Sequence, residues 1–200
     1  MNYLAHLYLS GNNSDIILGN FLGDSLKGRE YLKYNKTVQK GVFLHRFIDS
    51  FTDAHPFIRK GSERLRPGYR KYSGVIVDIF YDHFLAINWE EYHHISLNKF
   101  AEKMHKVLSR YYFDMPHKAQ QLLPFLIQSK RLVANESFEG IERTLKIMSI
   151  HTSLPDKTDF AMEVLYDYYN DFNGEFNDFF KEIIAEIKKD FRIKLPYLPS

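Results

Sequence analysis

Apolar residues recur at helical intervals along almost the whole chain, and nowhere do they alternate over the length of a strand. Tyr3 to Leu9 form a short apolar helix. Ser14-Asp15 supplies an N-cap for a second, carrying Ile16, Ile17, Leu18, Phe21 and Leu22, which Gly23-Asp24 ends or bends. Val38, Val42, Leu44, Phe47, Ile48 and Phe51 give one buried face to a helix from residue 37 to about 53. His55-Pro56 then opens a basic connection, and Gly74 starts another apolar helix through Val75, Val77, Ile79, Phe80, Phe84 and Leu85 to near Asn88. Beyond it the pattern predicts helices over residues 89–111, from Pro116 to about 133, from Ser137 to about 150, and from 159 to about 190 with a bend at Asn173-Gly174. Leu195-Pro196-Tyr197-Leu198-Pro199 reads as an extended tail.

No repeat, low-complexity tract or Gly/Ser linker interrupts this pattern, so the expected fold is all-α, a single-domain helical bundle over residues 1–200. Composition sharpens the expectation: 17 Phe and 14 Tyr bring aromatics to 16%, which predicts an interior built from rings. No apolar run reaches the roughly 18–20 residues of a membrane span, and Met1-Asn2-Tyr3 lacks the basic and apolar regions of a signal peptide, which predicts a cytoplasmic protein. The chain has no cysteine. Disulfides, thiolate metal sites and cysteine nucleophiles are excluded together, and any metal must be held by His, Asp and Glu.

Those residues cluster. In 45–55, His45, Asp49 and Asp53 follow one another at i, i+4, stacking an imidazole and two carboxylates along one side of a helix, with His55 just past its end. Asp78 and Asp82 repeat the spacing inside an apolar segment, with His83 adjacent. Ionisable groups on apolar helices are costly unless paired or bound to metal. Carboxylates mixed with imidazoles suit manganese, iron, magnesium or zinc with positions left for water. The alternative is a set of ordinary His–Asp pairs. Asn20 and Asp24, again i, i+4, either close the site from a second direction or merely cap a turn; His6, among Leu4, Leu7 and Leu9, is either a ligand or a core histidine. His93, His94, His105, His117 and His151 have no acidic partner at ligand spacing and are expected on the surface.

Net charge, 27 basic against 25 acidic residues, argues against a general nucleic-acid binder. Arg59, Lys60, Arg64, Arg66, Arg70 and Lys71 nevertheless crowd one short stretch, with Lys27 and Arg29 in an earlier loop. This is either a solvated loop or a surface for an anionic partner or a phosphate.

Met1-Asn2-Tyr3-Leu4-Ala5-His6-Leu7, Gly19-Asn20-Phe21-Leu22-Gly23-Asp24, Gly41-Val42 with Leu44-His45-Arg46 and Ile48-Asp49, Phe51-Thr52-Asp53 with His55-Pro56, and Gly74-Val75 with Asp78 and Tyr81-Asp82-His83-Phe84-Leu85-Ala86 together resemble the acyl carrier protein phosphodiesterase family. The likeness spans about residues 1 to 90. It implies a helical, HD-phosphohydrolase-like, metal-dependent hydrolase that removes the 4'-phosphopantetheine arm from holo acyl carrier protein, typically with manganese. On that resemblance Asp24, His45, Asp49, Asp78, Asp82 and His83 hold or support the metal, with Asp53 and His55 beside it, although Asp82-His83 reverses the dipeptide that names the HD group. Arg46, Lys27 or a member of the 59–71 cluster neutralises the phosphate, and His55 or His83 protonates the leaving oxygen. The same resemblance implies that the acidic carrier protein docks on Lys27, Arg59, Arg64, Arg66, Arg70 and Lys71. Two other functions fit the same residues: an HD-type phosphohydrolase acting on nucleotides or small phosphate esters, and a non-catalytic helical module that binds an acidic protein.

Overall fold

A computed structural model describes residues 1–195, so the 196–199 part of the expected tail lies outside the described residues. The helices are α1 (Tyr3–Leu9), α2 (Ser14–Leu22), α3 (Lys36–Ala54), α4 (Pro56–Tyr69), α5 (Ser73–Ile87), α6 (Trp89–Tyr92), α7 (Leu97–Arg110), α8 (His117–Gln128), α9 (Phe138–His151), α10 (Thr158–Asp167) and α11 (Tyr169–Phe191), with short 3-10 turns between several of them. Among the described residues there is no strand, and no helix is long and apolar enough to cross a membrane.

Two helices run through the middle. α5 buries most of its circumference, including Ile76, Val77, Phe80, Tyr81, Phe84 and Leu85, and α11 buries Phe172, Phe176, Phe179, Phe180, Ile183 and Ile187 against it. Tyr81 meets Phe176 and Phe179 with ring centroids 5.5 and 5.4 Å apart, and Phe80 meets Phe172 edge-on at 5.3 Å. The expected aromatic interior is therefore observed, and its buried residues form one continuous cluster from α1 to α11.

The α2–α3 pair, which carries the site, is held closer than ordinary helices. A β-carbon on Gly19 would overlap the Val38 carbonyl, and one on Gly41 would overlap that of Ile16, so bare backbone meets bare backbone at this crossing. Asn13 and Asn35 cap the two N-termini, each amide oxygen accepting two backbone N–H groups.

Several boundaries differ from the sequence pattern. The basic connection after Pro56 is a helix, α4: His55 caps it, accepting from Phe57 N at 3.3 Å, Pro56 takes the first turn, and Ile58, Gly61, Leu65 and Tyr69 make its buried stripe. Residues 89–111 are not one helix but α6 and α7, because Trp89 donates its indole N–H to Ile95 O and Ser96 starts a new cap. The final pattern breaks at Tyr168, not at Gly174, which continues α11 with open space beside it. His93 is buried, its ring stacked on Trp89 at 7°, and is not a surface residue.

Candidate active site

α1, α2, α3 and α5 and the far wall of α8 and α9 enclose a cleft of about 740 Å³, lined by His6, Asn20, Asp24, His45, Asp49, Asp53 and Asp78 on one side and by Leu122, Phe125, Leu126, Arg131, Ile147 and Met148 on the other. Asn20 organises its floor. This side chain is fully buried; its Nδ2 donates to His6 O and to Ser10 Oγ, both at 2.8 Å, and the Ser10 hydroxyl donates onward to His6 O. With both amide hydrogens committed, Oδ1 must face the other way, and there it meets His6 Nδ1 at 2.8 Å and His45 Nδ1 at 3.2 Å. An amide oxygen only accepts, so the network assigns the hydrogen of each imidazole to Nδ1.

The consequence falls on the other ring nitrogens. His6 Nε2 lies 3.1 Å from Asp49 Oδ1, and His45 Nε2 lies 3.1 Å from Asp49 Oδ2 and 3.3 Å from Asp24 Oδ1. The two rings stack with centroids 4.4 Å apart. Two imidazole lone pairs thus converge on carboxylate oxygens, an arrangement that repels unless a cation or a proton stands between them. His6, His45 and Asp49 offer one ligand atom each, all within 4.8 Å of one another, and form a possible metal-binding triad. The electrostatics carry the same demand. Burial opposes a charge on His45, but its bonds to Asp24 and Asp49 outweigh that and raise it to about 9. Burial keeps the neighbouring His6 below the ordinary histidine value. Asp49, against the pull of burial, is held well below the carboxylate range by the same two imidazoles, and Asp24 is lowered first by its bond to His45.

The other sequence candidates divide. Asp53 and Asp78 line the cleft, and Asp78 Oδ1 is 3.3 Å from the Met1 α-ammonium. Asp82 is buried one turn deeper, outside the cleft lining; burial pushes it up to about 7, and its Oδ1 has no hydrogen-bond partner. His83 points away from the triad, Nδ1 toward Asn135 O at 2.8 Å and Nε2 toward Tyr169 Oη at 3.0 Å, because one residue along a helix turns the side chain by about 100°. His55 is the cap of α4, its Nε2 3.2 Å from Glu182 and its ring among Phe51, Phe57 and Phe179, so it too is not brought to the cleft. Arg46 lies over the Tyr31 ring and donates to Gly28 O, and Lys27 is exposed; neither lines the cleft.

Within the basic set, Arg64 is half of a bidentate pair to the buried Glu175, both bonds 2.8 Å, and packs on Tyr168 and Phe172. It belongs to the α4–α11 contact and is not free to meet a partner. Arg59, Arg66, Arg70 and Lys71 do surround a second, surface cavity of about 270 Å³ with Ser62, Ser73, Gly74 and one acidic residue, Glu63. Sequence reasoning left His6 undecided and missed Arg131, which lines the cleft; His151 is exposed, as expected, and also borders the cleft.

An imidazole–carboxylate cluster lining a cleft in an all-helical fold defines a candidate metal-binding active site. The chain belongs to the acyl carrier protein phosphodiesterase family, whose model matches residues 1–183. It is 28% identical over 193 residues to the acyl carrier protein phosphodiesterase of Photorhabdus laumondii, covering 96% of this chain and 98% of that one. A second such enzyme, from an Enterobacter species, is 27% identical over 189 residues, 94% of this chain and 98% of the relative. One from Yersinia pestis reaches 34% over 91 residues, 46% of this chain and 47% of the relative. No solved structure matches significantly.

Proposed function

We propose that this chain hydrolyses the phosphodiester between 4'-phosphopantetheine and the serine of a holo acyl carrier protein, using a divalent cation held by His6 Nε2, His45 Nε2 and the Asp49 carboxylate. The observation that carries this reading is the convergence of two Nδ1-protonated imidazoles on Asp49, fixed by one buried asparagine. The donor set fits: two imidazole nitrogens and a carboxylate suit manganese, iron or zinc, and manganese is the member of that group we favour. When bound, such an ion supplies an acidified water and polarises the phosphoryl oxygens.

The chain's own groups do the rest. Asn20 keeps both Nε2 lone pairs turned into the cleft. Asp24 Oδ1, ionised and at the cleft edge, is placed to take the proton of the attacking water. That water adds to phosphorus, the bond from phosphorus to the serine oxygen breaks, and the serine oxygen takes up a proton from solvent, giving apo carrier protein and 4'-phosphopantetheine, while Asp24 releases the proton it took to solvent. The apolar wall of Leu122, Phe125, Leu126, Ile147 and Met148 shields the reacting centre and receives the arm. Arg59, Arg66, Arg70 and Lys71 form the docking face for the acidic carrier. Their cavity ends at Gly74 and the cleft begins at Val75, so the two share the first turn of α5.

The test is the mass of holo acyl carrier protein after incubation with the protein and manganese, with a chelator control. Loss of one phosphopantetheine arm, blocked by chelator, is expected. An unchanged carrier alongside turnover of nucleotides would instead assign a small-molecule phosphohydrolase.

A further inference from the structure

The sequence candidates for a phosphate-binding cation are Arg46, Lys27 and the 59–71 cluster, and none of them lines the cleft. Four carboxylates do: Asp24, Asp49, Asp53 and Asp78. An anionic phosphodiester entering beside them needs positive charge beyond that of one ion. Among the described residues, one arginine or lysine side chain lines the cleft, and it is Arg131.

The fold goes to some length to put it there. α8 ends in a Schellman turn: Lys130 N–H bonds Ile127 O at 3.1 Å, Arg131 N–H bonds Leu126 O at 3.1 Å, and Lys130 takes φ +50°, a left-handed conformation that side chains other than glycine resist. This reversal turns residue 131 back over the wall that Leu122 and Leu126 contribute. Nη1 then donates to Thr144 Oγ1 at 2.7 Å, and Nη2 approaches Met148 Sδ at 3.5 Å. Thr144 is itself held by Asn135 Oδ1 at 2.9 Å, so the guanidinium is oriented from behind. Asp82 is the carboxylate whose charge it feels most, but among the described residues no carboxylate lies within ion-pair distance of this half-buried guanidinium. Its two contacts leave N–H donors uncommitted.

We infer that Arg131 binds the non-bridging oxygens of the scissile phosphate, opposite the His6–His45–Asp49 cluster. The inference rests on the phosphodiesterase reading for its substrate, but the site requires only a phosphate. A half-buried guanidinium with no carboxylate in contact and with spare donors facing a cleft is a preformed anion site, and its planar fork matches phosphate in a way that lysine's ammonium does not.

Two measurements on wild type, Arg131→Lys and Arg131→Met separate this role from a structural one. The first is inorganic phosphate binding by isothermal titration, which needs no turnover. Wild type should bind, Arg131→Lys should bind about 10-fold more weakly, and Arg131→Met should show no binding. The second is kinetics on holo carrier: Arg131→Met should lower kcat/KM by about 100-fold or more, and guanidinium ion should restore part of the rate. Binding and kcat/KM within twofold of wild type in a folded Arg131→Met would overturn the assignment. So would a folded Arg131→Lys, should Arg131→Met not fold, that binds phosphate like wild type. A wild type that binds phosphate through Arg131 yet leaves holo carrier intact would defeat the substrate reading and leave the anion site standing.

Discussion

Gly23 and His45 touch across the α2–α3 crossing so closely that a β-carbon at 23 would fall inside the imidazole. The glycine is what allows Asp24 and His45 to meet at 3.3 Å. Gly23→Ala must therefore swing the ring off Asn20 and Asp49. Manganese affinity should fall about 10–100-fold, while circular dichroism stays helical. Unchanged affinity, by titration calorimetry, would show that the ring position is not what holds the ion.

Asn20→Leu removes the acceptor that fixes both tautomers, stranding the Nδ1 donors of His6 and His45, and leaves the Ser10 hydroxyl and the His6 carbonyl with only each other. We expect a loss of about 1–3 kcal/mol in urea denaturation, together with weaker manganese binding. A variant equally destabilised but wild-type in metal affinity would reduce Asn20 to a packing residue.

Asp82 gives a stability signature in pH. Burial, only partly offset by Arg131, raises its carboxyl from an ordinary 3.8 to about 7. The unfolded chain therefore loses this proton first. The folded state carries no penalty below about pH 4, an increasing one between about 4 and 7, and the full penalty, on the order of 4 kcal/mol, above that. Asp82→Asn, which keeps the shape and cannot ionise, should melt several degrees higher than wild type at pH 8 and match it at pH 4. Equal melting temperatures at pH 8 would mean that Asp82 is ionised and paired.

Arg64→Met and Arg66→Glu/Arg70→Glu should behave in opposite ways. The first leaves Glu175 with Lys60 alone, at 2.9 Å, and should cost about 3 kcal/mol of stability with little effect on KM for the carrier. The pair of charge reversals sits on the surface cavity and should raise KM at low salt, with stability nearly unchanged. A KM unaffected by the reversals would place docking elsewhere.

How much of this was legible in the chain depends on whether the information was local. His45 and Asp49 announce themselves by i, i+4 spacing on α3, Asn20 and Asp24 share that spacing but could equally have capped a turn, and the structure brings all four together. His6 could not be decided, because an apolar seven-residue helix does not say which face meets its neighbours. Asp82 and His83 were set among the metal ligands, yet neither lines the cleft, for a related reason: α5 is buried nearly all round, so periodicity marks no inside. α4 was hidden by charge, since its four cations equal in number the four positions that bury it. Arg131 had no local signal at all, as its place depends on a left-handed turn at Lys130 and on Thr144 from another helix.

The central claim is that His6, His45 and Asp49 together hold a catalytic divalent ion, and manganese binding measured by electron paramagnetic resonance on wild type and on His6→Ala, His45→Ala and Asp49→Asn tests it most directly. Our account predicts bound manganese in the wild type, a melting temperature that rises with the metal, and loss of both in each variant along with loss of holo carrier hydrolysis. Wild-type manganese binding in all three folded variants, or undiminished hydrolysis in excess chelator, would contradict it.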